Sequence, residues 1–236
     1  MKKTILITGG SSGIGKAIAT LFREKDYEVV TIGKTHGKEI DNNNHFVVDV
    51  SDYYAVKKVI DSIDTIDIVV NCAGVINSDE EPESFSIETL NSVIDVNLKG
   101  TIMICGLVID KMVSNNVNGN VINISSISNK GSKYFPIYSA SKGAIVSYTK
   151  SIASRYGKEG IRCNVISPGI IETPMSYHET ADFKDYIPGL IEKHCLNRIG
   201  RPSDIAKLVS FLVSDDAEFI IGEEIVIDGG YTLGKE

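Results

Sequence analysis

Tryptophan is absent from the 236-residue chain, proline (6) and cysteine (4) are sparse, and 24 Lys+Arg are outnumbered by 31 Asp+Glu. Each scarcity excludes something. Cys72, Cys105, Cys163 and Cys195 lie far apart with no C-x-x-C pair, which argues against a disulfide scaffold or zinc site and suits a reducing compartment. His36, His45, His178 and His194 show no metal-ligand spacing, so no metal is expected. A net charge of -7 argues against sequence-independent binding to nucleic-acid phosphates, and an anionic small molecule would need a local basic site. The start, Met1-Lys2-Lys3-Thr4, runs into only Ile5-Leu6-Ile7 before Thr8-Gly9, which is too short for a signal core. No stretch reads as membrane-spanning, so a cytoplasmic protein without a membrane or nucleic-acid partner is expected. With 42% hydrophobic residues, disorder is excluded, and a chain below roughly 250 residues fits one domain over residues 1–236.

What is present is an alternation. Strand-length apolar runs rich in β-branched residues occur at Thr4–Thr8, Glu28–Ile32, His45–Val50, Asp67–Asn71, Asn120–Ser125, Arg162–Ser167 and Glu224–Asp228. Longer segments of helical period separate them: Ile14, Ile18, Leu21 and Phe22 share one face, and Val56, Val59, Ile60 and Ile63 another. Runs without strict alternation suit a sheet buried on both sides, so the pattern predicts a doubly wound parallel seven-stranded sheet with helices on both faces, the Rossmann arrangement of the α/β class. Asn-rich stretches at Asn42-Asn43-Asn44 and Ser114–Asn120 read as turns before strands.

Two segments carry chemistry. Thr8-Gly9-Gly10-Ser11-Ser12-Gly13-Ile14-Gly15 follows the first strand and opens the first helix, where glycines permit a tight turn and close backbone approach to a pyrophosphate facing the helix N-terminus. The second strand then ends Ile32-Gly33-Lys34-Thr35, with glycine where an NAD site would place a carboxylate for the ribose 2'-hydroxyl, and with a cation suited to a 2'-phosphate directly after it. NADP(H) is therefore the expected preference, with NAD(H) as the alternative. Further along, Tyr138 and Lys142 stand one helical turn apart. A phenol with a pKa near 10 needs a neighbouring cation to exchange protons at neutral pH, and Lys142 can supply it.

These segments, together with Asn71-Cys72-Ala73-Gly74, Asp49-Val50, Asn97, Asn123-Ile124-Ser125-Ser126, Pro168-Gly169 with Thr173, and Asp228-Gly229-Gly230, resemble the short-chain dehydrogenase/reductase family from Thr4 to about Gly230. The overall pattern is most like its 3-oxoacyl-carrier-protein reductases, a likeness shared with sugar, polyol and steroid enzymes. The resemblance implies hydride transfer between a nicotinamide cofactor and a carbonyl or secondary alcohol. Tyr138 is then the acid-base residue, a serine hydroxyl its partner on the carbonyl oxygen, and Lys142 a ligand of the nicotinamide ribose. Asn97 holds a water in a proton relay, Asp49 and Val50 line the adenine, and Asn71, Ala73 and Gly74 border the cofactor, with Asn71 mainly structural. Ile170 and Thr173 hold the carboxamide after Pro168-Gly169. A cofactor-sensing regulator without turnover is the competing class, and it would be expected to lose Tyr138 or Lys142.

Two counts disagree on the serine. The family's interval of thirteen residues back from Tyr138 gives Ser125, whereas counting forward from Asn123 gives Ser126. A loop tolerates a missing residue better than a buried strand tolerates a slip, so Ser126 is the expected catalytic serine and Ser125 a buried hydroxyl bonded to neighbouring backbone. Residues 175–196 occupy the position of a substrate lid. Apolar excess on the helices Leu90–Val113 and Ile137–Tyr156, and on Ile225–Ile227, points to a homotetramer of the kind the family forms.

Overall fold

A computed structural model of the chain describes residues 2–36, 44–77, 80–178 and 183–234. Strands β1 (Thr4–Thr8), β2 (Glu28–Gly33), β3 (His45–Val47), β4 (Ile68–Asn71), β5 (Asn120–Ile124), β6 (Arg162–Pro168) and β7 (Glu224–Ile227) form one 7-stranded parallel sheet in the order β3-β2-β1-β4-β5-β6-β7. This is the predicted doubly wound fold. Successive strand residues enter opposite cores: Leu6, Val30, Val69, Val121 and Cys163 face one, Ile5, Ile7, Val29, Val70 and Ile122 the other. Helices α2 (Tyr53–Asp61), α4 (Thr101–Ser114) and α5 (Pro136–Tyr156) close the first core. Helices α1 (Gly13–Glu24) and α8 (Pro202–Leu212) close the second, where Ile18, Ala19 and Phe22 meet Ile205, Ala206 and Val209. Each fully buried aliphatic or aromatic side chain contributes about 1.5–3 kcal/mol, and the two-sided burial explains why the strand sequences do not alternate.

Several boundaries differ from the sequence reading, two of them substantially. Strand β3 stops at Val47 rather than Val50, because the Asp49 carboxylate accepts the Ser51 N–H at 3.0 Å and turns the chain into α2, which Asp52 caps at the Ala55 N–H. The helix expected over Leu90–Val113 is α3 (Ile87–Val93), a π-helical segment over Ile94–Gly100, and then α4. That whole run, Ile87–Ser114, is long and apolar enough to cross a membrane by length and composition, contrary to the sequence reading. Its Val93, Ile104, Cys105, Val108 and Met112 are buried in the protein's own core. The Asn-rich turn after Ser114 is present, with Asn116 at φ 52°, while Asn42 and Asn43 fall outside the described residues. Over residues 175–196, where a lid is expected, lie most of α6 (Pro174–His178) and all of α7 (Phe183–Lys193), with 179–182 outside the described residues.

The sheet order reverses direction between β1 and β4. At such a switch point the connecting loops part to opposite faces, leaving a crevice above the carboxyl ends of the strands.

Candidate active site

The crevice is a cleft of about 290 Å³ that gathers Gly9, Ser11, Ser12, Gly13, Ile14, Gly15, Gly33, Lys34, Thr35, Asp49, Val50, Ala73, Gly74 and Thr173. Its floor is glycine for a physical reason. Gly9 has φ +68°, and a Cβ there would lie 2.9 Å from the Ala73 backbone, which Thr8 holds in place by accepting the Cys72 and Ala73 N–H groups at 3.1 and 3.0 Å. Ser12, at the N-cap of α1, makes no side-chain cap bond, so the helix N-terminus faces the cleft with its partial positive charge available to an anion. This cradle fits a pyrophosphate.

Six residues expected at the cofactor do not line this cleft: Tyr138 and Lys142, taken up below, and four others. Asn71 is buried beneath the cleft, donating to Asn123 Oδ1 at 2.8 Å and Cys105 Sγ at 3.2 Å, so its side chain ties β4 to β5. Pro168 and Gly169 continue β6 against β7, with the Gly169 N–H on the Ile227 carbonyl at 3.0 Å. Ile170 lines a second hollow with Arg198 and Asp228, and its carbonyl accepts the Gly200 N–H. None of the four lines the main cleft, whereas Cys72, Val75, Val96, Pro174 and Met175, which were not anticipated, do.

Lys34 does not stand free at the adenosine end. Its Nζ lies 2.8 Å from Asp49 Oδ2. Partial burial acts to raise the Asp49 carboxyl pKa, but hydrogen bonds from Lys34 and Ser51 outweigh it and hold the group below the ordinary aspartate value. Thr35 Oγ1 donates to Ser11 Oγ at 3.4 Å, joining the end of β2 to the glycine loop.

At the other end, Tyr138 and Lys142 lie on α5 with the Lys142 Nζ 5.6 Å from the centre of the Tyr138 ring. Lys142 is buried and donates to the Ile124 carbonyl at 3.0 Å. Gly74 leaves the space in which Asn97 Oδ1 and Lys142 Nζ converge, each about 3.5 Å or less from where a Cβ would sit. The Asn97 side chain is held by three hydrogen bonds. Both its N–H groups are engaged, with the Val75 carbonyl at 2.8 Å and Ser141 Oγ at 3.1 Å, and its Oδ1 accepts the Val75 N–H, so it clamps the cleft wall and leaves no side-chain donor for a relay water.

The two candidate serines differ in burial and partners. Ser125 is buried and donates to the Lys142 carbonyl at 2.9 Å, as expected of a structural hydroxyl. Ser126 is half-buried, with extended backbone (φ -163°), and its Oγ accepts the Ser128 N–H at 3.1 Å. That bond holds the oxygen while leaving its proton to donate.

One contributor escaped the sequence reading. Glu80 is fully buried, and its Oε2 accepts the Tyr138 N–H at 2.8 Å, supplying the cap that Phe135, at the N-cap of α5, does not. Fifty-eight residues separate the partners, and Glu80 sits in an acidic stretch that reads as a solvated loop, so no local signal marks it.

Burial drives the Lys142 pKa down from 10.5 to about 8, with neighbouring Cys72 opposing the shift. The folded protein thus gives up this proton near pH 8 and the unfolded chain near 10.4, so the unfolded chain binds more protons in between and stability from this group rises with pH across that window. Lys142→Met is expected to stabilise the cofactor-free protein at pH 7 by on the order of 3 kcal/mol, with the gain vanishing towards pH 10.5. Urea denaturation of both proteins at pH 7 and 10 checks this, and a pH-independent difference would count against a buried charge.

A parallel switch-point cleft with a glycine cradle at one end and a lysine-backed tyrosine at the other defines a nucleotide-dependent oxidoreductase. Comparison with known proteins agrees. The chain belongs to the short-chain dehydrogenase/reductase family: the family model described as enoyl-(acyl carrier protein) reductase matches residues 9–232. Glucose 1-dehydrogenase 2 of Bacillus subtilis is 32% identical over 247 residues, covering 98% of this chain and 95% of that protein. Human (3R)-3-hydroxyacyl-CoA dehydrogenase is 34% identical over 248 residues, covering 95% and 94%. Among solved structures, ElxO with NADP bound superposes at a TM-score of 0.88 with 31% identity, covering 99% of this chain and 100% of that one. A 4-hydroxyisoleucine dehydrogenase complexed with NADH reaches 0.89 with 31% identity and the same coverage.

Proposed function

We propose that the chain interconverts a carbonyl and a secondary alcohol with NADP(H) as preferred cofactor and NAD(H) as the weaker alternative. The observation that carries the reading is Lys142, a buried ammonium beside Tyr138 at the inner end of a cleft whose outer end is an open helix N-terminus. The nicotinamide, when bound, supplies the hydride chemistry. The chain's residues do the rest. Gly9, Gly13 and the first N–H groups of α1 hold the pyrophosphate, Asp49 and Val50 border the adenine, and Thr173 lies beside Gly13, where it can reach the carboxamide. Ser126 and Tyr138 donate to the substrate oxygen, and Tyr138 passes its proton to that oxygen in reduction and recovers it in oxidation. With its pKa near 8, Lys142 keeps its charge at neutral pH and favours the phenolate left behind.

Preference for NADP(H) is inferred from Gly33 and Lys34, since relatives of similar fold are named with either cofactor. Purified protein is expected to turn over NADP(H) faster than NAD(H), oxidising NADPH with ketones or 3-oxoacyl thioesters and reducing NADP+ with aldoses or 3-hydroxyacyl thioesters, a panel that includes the substrate types in the relatives' names. Gly33→Asp with Lys34→Ala should reverse or erase the ratio of kcat/KM, because a charge-assisted bond to phosphate is worth roughly 1.5–3 kcal/mol. A clear NADH preference in the unmodified protein would sink the cofactor reading, and no turnover with any substrate would sink the enzymatic one.

Residues 175–196 form the proposed lid, since Pro174 and Met175 reach the cleft wall. Exposed Ile102 and Val113 on α4, with Val226 on β7, favour a homotetramer. Light scattering at micromolar concentration should give four times the 25.6 kDa chain mass, and a monomer would contradict it.

A further inference from the structure

We propose that Asp49 is a specificity-determining residue: by pairing with Lys34 in the open cleft, its carboxylate competes with a ribose 2'-phosphate and weakens the discrimination between NADP(H) and NAD(H). The inference rests on the cofactor reading above. The two charges come from different strands, Lys34 from the end of β2 and Asp49 from just beyond β3, and both line the cleft. They are 2.8 Å apart.

The two partners are not equally free to move. Asp49 Oδ1 accepts the Ser51 N–H and the Asp49 carbonyl accepts the Asp52 N–H, both at 3.0 Å, so the carboxylate is fixed by its own turn. Lys34 carries its charge on a flexible stem, and its side chain is 62% exposed against 33% for Asp49. A dianionic phosphate arriving at this corner therefore draws the ammonium away from a carboxylate that stays in place. The carboxylate then stands as an uncompensated like charge beside the phosphate. A ligand with a 2'-hydroxyl leaves the pair intact and meets no such opposition. Among the described residues, the side chains of Ser11 and Thr35 also line this corner, and neither carries a charge.

The pair is solvent-exposed enough to be a weak one, so its effect on binding is partial rather than blocking. Replacing Asp49 by asparagine keeps an oxygen for the Ser51 N–H and removes only the charge. The test is calorimetric titration of 2',5'-ADP and of 5'-ADP, two fragments that differ by the 2'-phosphate and need no turnover. It uses the full chain at low and high salt, with Asp49→Asn, Lys34→Ala and the double variant.

In Asp49→Asn, the preference for 2',5'-ADP over 5'-ADP should rise about three- to tenfold at low salt and less at high salt. In a Lys34→Ala background the same substitution should produce a smaller gain, because only the like-charge repulsion is then relieved. An unchanged or reduced preference in Asp49→Asn, with Lys34→Ala still losing preference, overturns the inference alone. No loss of preference in Lys34→Ala overturns the cofactor reading, and the inference with it. Because the readout is a ratio of two ligands on one variant, a general weakening of adenine binding by the substitution cancels.

Discussion

Replacing Tyr138 by phenylalanine should lower kcat by about a thousandfold or more while leaving the affinity for cofactor within a few fold. General acid-base groups contribute roughly 10²–10⁴ to rate, and the variant removes the hydroxyl proposed to exchange a proton with the substrate oxygen. The substitution is otherwise conservative. Phenylalanine keeps the ring whose centre lies 5.6 Å from the Lys142 ammonium, and the Tyr138 N–H that Glu80 accepts belongs to the backbone, so the start of α5 keeps its cap. Loss should therefore appear in the chemical step rather than in folding or binding. Steady-state turnover, paired with cofactor titration by nicotinamide fluorescence, separates the two. Substantial turnover in the variant would remove Tyr138 from the mechanism.

The second large effect concerns neighbouring serines. Ser126→Ala should cost on the order of a hundredfold in kcat, the scale of losing one donor to a developing oxyanion, with little change in stability. Ser125→Ala should do the reverse. Its hydroxyl is buried, donates to the Lys142 carbonyl and accepts from Asn129 Nδ2 at 3.3 Å, so its removal leaves buried polar groups without a partner and costs about 1–3 kcal/mol of stability. Some rate is lost with it through slackening of α5. Melting curves and kcat for both variants decide the matter, and a larger kcat loss in Ser125→Ala than in Ser126→Ala would refute the assignment.

The frame of the molecule was legible because two-sided burial writes itself into composition: strands such as Thr4–Thr8 and Ile68–Asn71 are rich in β-branched residues whatever their partners. The glycine loop was legible for a similar reason, since backbone approach to Ala73 admits no side chain. What stayed hidden depends on distant partners. Nothing local to Lys34 reveals that a turn fifteen residues on delivers a carboxylate to it, and nothing near Glu80 reveals the start of α5. Asn71 was read as mainly structural, but its partner Asn123 on the next strand could be named only once the strand order was known. Ser126 is the candidate over Ser125 because strand register constrains side-chain direction more tightly than loop length does.

The wide turn at Ile94–Gly100 has a consequence for how the long helix serves both the cleft and the core. An α-helix advances about 100° per residue, so a turn bonded i to i+5 carries one residue more than its neighbours and rotates everything beyond it by that angle. Asn97, inside the wide turn, points at Val75 and Ser141, while Ile104, Val108 and Met112 beyond it face the sheet. The segment acts as a phase shifter. Deleting one residue from it would restore an unbroken α-helix and put the two faces out of step: either Asn97 swings off the cleft wall or the apolar stripe of α4 swings off the sheet. A point substitution in the same turn leaves the phase intact, so tolerance of substitution with intolerance of single-residue deletion is the signature this geometry should leave.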